Sequence, residues 1–245
     1  MKTNFSFSIF EKFPNLLVAL SLKEDGNMKI YGDFEEDKKT LVNREKFFKR
    51  LGLSGKDVVS AKLVHGDNIE IISNENKKQF IPQTDGLITN QKGVFLSITI
   101  ADCLPVVVFD PQKEVISLLH CGWKGLGKKI IKKAVKKMED RFDSNLGWLT
   151  ASIGPGISDC HFEVKKDVLK KFKSYPEAIT KRSSKSFIDL KMIARCQLEK
   201  AGVKSENIEI SPICTFCQAE TYFSYRKDKS KPLQTMIVVV GMKPN

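Results

Sequence analysis

Three side chains have the type and setting of a metal or proton-transfer site: His65, Cys103 and His120. Cys103 stands in Ala101-Asp102-Cys103-Leu104-Pro105, and His120 opens His120-Cys121-Gly122-Trp123-Lys124-Gly125. Two apolar runs of strand length, 105–109 and 115–119, lie between them, and Asp110-Pro111 starts a turn. If these runs pair as a hairpin, Cys103 and His120 come side by side at its open end, where antiparallel neighbours lie about 4.5–5.5 Å apart. His65, in Leu63-Val64-His65-Gly66-Asp67, likewise follows a strand-like run and precedes a glycine that breaks it. The chain has three histidines in all, and two of them sit at such exits. Two imidazoles and a thiolate suit a catalytic zinc with an open fourth position; copper is the alternative ion. A metal-free hydrolase, with Cys103 as nucleophile and His120 as base, would use the same residues. Asp102 is the neighbouring carboxylate for moving a proton or orienting a histidine. It reaches their pocket only if the strand ends or bulges there, because strand neighbours face opposite ways.

The remaining pattern supplies elements to hold these residues. The run 94–100 precedes the hairpin as another strand, and 58–64 and 69–72 flank His65-Gly66. Residues 13–20 read as a first strand rather than a signal core, because charges and Pro14 interrupt the segment and no small-residue cleavage site is clear. The spacing predicts a helix over 39–51, with Val42, Phe47, Phe48 and Leu51 on one face and carrying Asn43 and Arg44. Gly122 to Gly127 lead into a second helix ending near Arg141, in which Ile130, Ile131, Ala134, Val135 and Met138 alternate with paired lysines. Asp189 is an N-cap for a third helix, and Gly202 ends it. Short strands are expected at 149–153, 160–164, 208–210 and 236–240. Candidate site residues spread from position 43 to 226 without a low-complexity linker, so one domain spanning 1–245 is expected.

Composition narrows the function classes. No apolar run approaches a membrane span. The formal net charge of +12 raises a nucleic-acid reading. Six of the lysines form the solvated face of one amphipathic helix, however, and no arginine-rich arm or RNA-binding aromatic motif accompanies them, so nucleic acid is not the expected partner. The six cysteines read as thiols of a reducing compartment, which favours the cytoplasm. Cys214-x-x-Cys217 has no second Cys-x-x-Cys pair and is expected to be two buried thiols near the site rim, with His161 a wall or core histidine. Trp123 either stacks on a base or packs the start of its helix.

Val64-His65-Gly66, Asp85-Gly86-Leu87-Ile88-Thr89, Ala101-Asp102-Cys103-Leu104-Pro105, His120-Cys121-Gly122-Trp123-Lys124-Gly125, Ile153-Gly154-Pro155-Gly156-Ile157, Asp189-Leu190, Cys214-Thr215 and Phe223-Ser224-Tyr225-Arg226 follow one another in the order of one family. The chain resembles the YfiH/laccase-domain family, also called multicopper polyphenol oxidase or peptidoglycan editing factor. The resemblance implies an α+β fold, a single-domain α/β/β/α sandwich with mixed sheets. It implies zinc held by His65, Cys103 and His120, with Cys103, His120 and Asp102 as catalytic residues. It implies phosphorolysis of adenosine, inosine and methylthioadenosine, and deamination of adenosine. A hydrolase acting on a muramoyl-amino-acid precursor is the alternative. Purine nucleosides and phosphate are the expected partners, and a homodimer is compatible. Asn43, Arg44, Lys124 and Arg226 are the candidate substrate-binding residues, the three cations for phosphate. Lys124 stands where the family usually has Arg, and a lysine offers a point charge in place of a two-pronged grip. Leu63 and Cys121 replace a usual Gln and Ala, and the Gly-Arg pair expected after Phe223-Ser224-Tyr225-Arg226 is missing. A multicopper oxidase needs many histidine ligands, and three histidines cannot supply them.

Overall fold

The computed structural model describes residues 6–30 and 38–244. The strands in chain order are β1 (Leu16–Leu20), β2 (Val58–Ala61), β3 (Ile69–Ile71), β4 (Phe80–Ile81), β5 (Gly86–Thr89), β6 (Phe95–Ile100), β7 (Leu104–Asp110), β8 (Val115–Cys121), β9 (Thr150–Ile153), β10 (Glu163–Val164), β11 (Ile179–Arg182), β12 (Lys185–Ile188), β13 (Ile208–Ile210) and β14 (Met236–Met242). The helices are α1 (Lys38–Arg50), α2 (Trp123–Gly127), α3 (Ile130–Phe142), α4 (Lys166–Leu169), α5 (Leu190–Lys200) and α6 (Tyr225–Asp228). Two mixed sheets dominate, ordered β1-β14-β6-β2-β4 and β13-β9-β7-β8-β5-β3, with a small sheet β10-β12-β11 beside them.

Period-two alternation along the central strands builds the layers. Val107 and Phe109 of β7, with Ile116 and Leu118 of β8, meet Leu96, Ile98, Val238 and Val240 from the other large sheet. The opposite faces of β7 and β8, with Val106, Val108 and Leu119, pack on Ile131, Ala134 and Met138 of α3 and on Ile193 and Leu198 of α5. On the far side Phe47 and Phe48 of α1 cover Phe95, Ile237 and Val239. The order is helix, sheet, sheet, helices: an α+β fold in the expected α/β/β/α arrangement. Because β7, β8, β6 and β14 are buried on both faces, they read in the sequence as continuous apolar runs.

The local expectations hold with shifts at the ends. The lysine-rich helix buries the five predicted apolar residues. Asp189 caps α5, accepting from the N–H groups of Lys191 and Met192. Phe13 packs edge-on against Phe109, which ties the start of β1 to the inter-sheet core. Val42 departs from its expected face: it is 46% exposed, while Arg44 is buried in its stead. The predicted strand at 160–164 shrinks to Glu163–Val164, because residues 158–162 form a turn. No helix among the described residues is long and apolar enough to cross a membrane.

Candidate active site

The chain changes sheets at Ala101-Asp102-Cys103, leaving β6 in one large sheet and starting β7 in the other. Cys103 therefore stands at the seam between the sheets. The register pairs Pro105 with His120, so Cys103 lies two residues past its expected opposite number, but on the same face. His120 shares the inter-sheet face of β8 with Ile116 and Leu118, while Cys121 points into the helix-side core. That alternation makes Cys121 a packing residue. Burial raises its thiol pKa well above the usual value.

His65 lies in the loop after β2 in the left-handed region, at φ 57°. Its loop wraps the buried carboxylate of Asp85, which accepts from the backbone N–H groups of Val64 at 3.2 Å, His65 at 2.9 Å and Gly66 at 2.7 Å. Asp85 Oδ1 also bonds Nδ1 of His120 at 2.9 Å. One carboxylate thus places both histidines and fixes the His120 proton on Nδ1, leaving Nε2 for the site. No local pattern signals this role, since Asp85-Gly86 reads as a turn.

The donor atoms of His65, Cys103 and His120 all lie within 4.8 Å of one another. The two imidazole rings are 4.9 Å apart and nearly perpendicular. Gly122 keeps the sulfur in place, because a Cβ there would sit 2.8 Å from Cys103 Sγ. Burial opposes ionisation of Cys103, but the charge and hydrogen bond of His120 and the hydrogen bond of His65 prevail and bring the thiol down to about 6. Burial likewise disfavours the His120 cation, yet the Cys103 thiolate and Asp85 hold its pKa up at about 9. A soft thiolate between two oriented imidazoles is a donor set for a divalent ion of the zinc type.

An ion bound there would have to displace a proton from His120. Between about pH 6 and 9 one proton leaves per ion bound, so affinity should rise about tenfold per pH unit. Below about pH 6 the Cys103 proton must leave as well, and the slope steepens. Competition with a chromophoric chelator at several pH values reads this slope; a flat profile would remove His120 from the coordination set.

A cavity of about 270 Å³ opens beside the three donors, which all line it. Arg44, Lys29 and Lys62 contribute cations to its wall, and Leu63, Phe80, Ile98 and Leu233 an apolar surface. Arg44 is buried, with Nη1 donating to Met28 O at 3.0 Å and Nη2 to Ser60 Oγ at 2.5 Å. Its guanidinium also lies near the Phe48 and Phe80 rings. Among the described residues it meets no carboxylate. Burial brings its pKa down to about 10, and it stays charged at neutral pH.

Other expected site residues lie elsewhere. Asn43 follows the helix about 100° round from Arg44 and binds Asn27 O, lining a separate groove with Lys23 and Phe223. Lys124 is exposed over the Trp123 ring, in a groove that shares His65 but not Cys103 or His120. Arg226 donates through Nη1 to Glu163 O and lines a third hollow, beside Phe162 and Trp123. The expected phosphate pocket of Arg44, Lys124 and Arg226 is therefore not formed; Arg44 alone of the three joins the donor set. Trp123 packs partly against the helix-side core. Asp102, at φ 84°, gives Oδ1 to the Thr215 hydroxyl and Oδ2 to the Arg226 N–H, both at 2.7 Å. It braces the turn that carries Cys103, and the carboxylate that orients His120 is Asp85.

A family model described as multi-copper polyphenol oxidoreductase laccase matches residues 26–243. The purine nucleoside phosphorylase YlmD of Bacillus subtilis is 28% identical over 221 residues, covering 85% of this chain and 79% of its own. The adenosine deaminase RL5, from an unknown prokaryotic organism, is 28% identical over 191 residues, 73% of this chain and 72% of its own. The crystal structure of the YfiH protein of Bacillus licheniformis superposes with a TM-score of 0.89 at 27% identity, covering 95% of each chain.

Proposed function

The chain belongs to the multi-copper polyphenol oxidoreductase laccase family, and from that premise we propose that it is a zinc-dependent purine nucleoside enzyme of one domain. Its reactions are phosphorolysis of adenosine, inosine and methylthioadenosine and deamination of adenosine. Relatives named for both activities support a nucleoside-processing role. The observation that carries the reading is a single cavity shared by His65, Cys103, His120 and the buried cation Arg44.

Each part answers one demand of the chemistry. His65, Cys103 and His120 would hold zinc, and the chemistry zinc supplies at three ligands with an open position is activation of water near neutral pH. Asp85 holds the His120 proton at Nδ1, away from the cavity. Arg44 would bind phosphate, and its seat on Met28 O and Ser60 Oγ fixes where that anion lies relative to the ribose. Leu63, Phe80 and Leu233 offer the purine an apolar wall. The family's copper name finds no further support in this chain, which has three histidines in total.

A metal-free Cys–His hydrolase has one observation in its favour, the thiolate–imidazolium pair of Cys103 and His120. A nucleophilic cysteine needs one imidazole, however, and this sulfur is bonded by two. Elemental analysis of protein purified without chelator, joined to assays of the three nucleosides with and without phosphate, tests the proposal. Metal-free protein with full turnover would select the hydrolase.

Arg44→Lys separates the two activities. Lysine keeps the charge but loses the two-pronged hold. The KM for phosphate should rise about tenfold, or ~1.4 kcal/mol, while adenosine deamination changes little. Equal losses in both would place Arg44 in general scaffolding rather than at phosphate.

A further inference from the structure

The four donors Cys160, His161, Cys214 and Cys217 come together in a second cluster, with all ligand atoms within 4.8 Å of one another. Cys160 and His161 lie in the turn before β10, and Cys214 and Cys217 in the turn after β13. Cys160 Sγ and Cys217 Sγ are 3.6 Å apart, and His161 Nδ1 stands 3.2 Å from the first and 3.3 Å from the second. A tetrahedral zinc with Zn–S near 2.3 Å and Zn–N near 2.0–2.1 Å would separate two sulfurs by about 3.8 Å, and sulfur from nitrogen by about 3.6 Å. Cys160, His161 and Cys217 thus stand within a few tenths of an ångström of that geometry, and Cys214 Sγ lies within 4.8 Å of each. A disulfide is a poorer description, since its sulfurs would be about 2.05 Å apart and all the cysteines are free thiols.

The surroundings hold the donors in place. The Ser158 N–H points at Cys214 Sγ at 3.4 Å. The His161 ring stacks on Phe216, with centroids 3.9 Å apart and planes 17° apart, and this holds Nδ1 towards the sulfurs. Behind the cluster is the buried ammonium of Lys191, which donates to Ser158 Oγ at 3.1 Å, Ser211 O at 2.9 Å and Ile213 O at 2.7 Å. Those acceptors are neutral, and among the described residues no carboxylate pairs with it. Zinc with three thiolates and one imidazole has a net charge of −1, so Lys191 is placed to offset it. Buried ammonium groups otherwise carry a large desolvation cost.

We infer that Cys160, His161, Cys214 and Cys217 form a second, structural zinc site, closed by four protein ligands and separate from the His65–Cys103–His120 set. It would staple together two turns that are 57 residues apart in the chain. Its effect would reach the first site through Thr215, which lies between the two cysteines. The Thr215 hydroxyl holds Asp102, the Thr215 N–H holds Gly156 O, and Asp102 precedes Cys103. The sequence shows Cys214-x-x-Cys217 as a lone pair, and only folding brings Cys160 and His161 to it. The expectation of two buried thiols fails at Cys217, which is exposed, while His161, expected as a wall or core histidine, is half-buried and faces the thiols.

The test uses the full chain, purified under reducing conditions without chelator. The Cys103→Ala protein removes the first donor set and should retain one zinc per chain. Adding Cys217→Ser should release that ion. Cobalt(II) loaded into zinc-stripped Cys103→Ala protein should give a strong sulfur-to-metal charge-transfer band and a tetrahedral visible spectrum. The band should be lost when Cys217→Ser is added, at the cobalt concentration that saturates Cys103→Ala. Cys103→Ala protein without bound zinc would overturn the site, as would zinc content indifferent to Cys217→Ser or a Cys160–Cys217 disulfide in anaerobically purified protein. Should Cys217→Ser not fold, the cobalt spectrum of Cys103→Ala alone decides, and a spectrum without sulfur charge transfer overturns the inference.

Discussion

Cys103→Ala should cost one zinc per chain and lower the turnover of adenosine about 10³-fold or more, both in phosphorolysis and in deamination. The magnitude follows from what the sulfur does. It is the only anionic donor of its set and accepts from both imidazoles. Without it, two neutral histidines remain, one exposed on a loop and one buried in a strand. A 10³-fold loss is ~4 kcal/mol of transition-state stabilisation, of the order expected when metal-assisted chemistry is removed. The fold should survive, because Cys103 is half-buried at a sheet crossover and alanine leaves the β7–β8 register untouched. Near-UV circular dichroism and elemental analysis accompany the assay. A folded variant that loses the ion but keeps full turnover would refute the metal-dependent reading.

The sequence exposes this site unevenly, for physical reasons. The three candidate ligands are legible because His65 and His120 end apolar runs and Cys103 starts one, so each change of character marks a strand exit. Sandwich layers are legible from runs such as 104–110 and 236–242, whose continuous apolar character means burial on both faces. Which sheet a strand joins is not written locally. Residues 95–100 and 104–110 are similar in composition and four positions apart, yet they pair in different sheets. The split of the expected cations has a similar cause. Asn43 and Arg44 are chain neighbours, and only helical phase and the covering strands decide which one enters the cavity. Arg44 does, because Met28 O and Ser60 Oγ receive its nitrogens. Partnerships across long separations are the least legible: Asp85 with His120 and with the His65 loop, and Cys160-His161 with Cys214-x-x-Cys217. These depend on the packing of remote turns, which no local pattern encodes.

Asp85→Asn is the sharpest probe of that hidden layer, and it should damage stability and metal binding together. The carboxylate is fully buried and receives four hydrogen bonds, three from backbone N–H groups of residues 64–66 and one from His120. Burial alone would raise its pKa, but the His120 and Gly66 hydrogen bonds outweigh this and lower it, so it is ionised at neutral pH. An amide has one acceptor oxygen and no charge. If that oxygen takes the Oδ2 place and keeps the Val64 and Gly66 N–H groups, the amide nitrogen leaves the His65 N–H without an acceptor, faces His120 Nδ1 and donates to it. The ring proton then moves to Nε2, the nitrogen that should face the ion. If the oxygen turns to His120 instead, the loop loses its anion and His65 its left-handed turn. Either outcome should weaken zinc binding about 10–100-fold. Loss of several charge-assisted bonds to a buried carboxylate should also cost about 3 kcal/mol, lowering the melting temperature by about 6–12 °C for a chain of this size. The two effects have different signatures. A purely structural role predicts a lower melting temperature with unchanged zinc affinity in the folded fraction, whereas the orienting role predicts weaker affinity even well below the transition. Asp85→Glu keeps the charge but lengthens the arm, and should recover part of the zinc affinity without restoring the 64–66 loop. Unaltered zinc affinity in Asp85→Asn would mean that His120 finds its tautomer without the carboxylate, and the site would then be organised by its ion rather than by the chain.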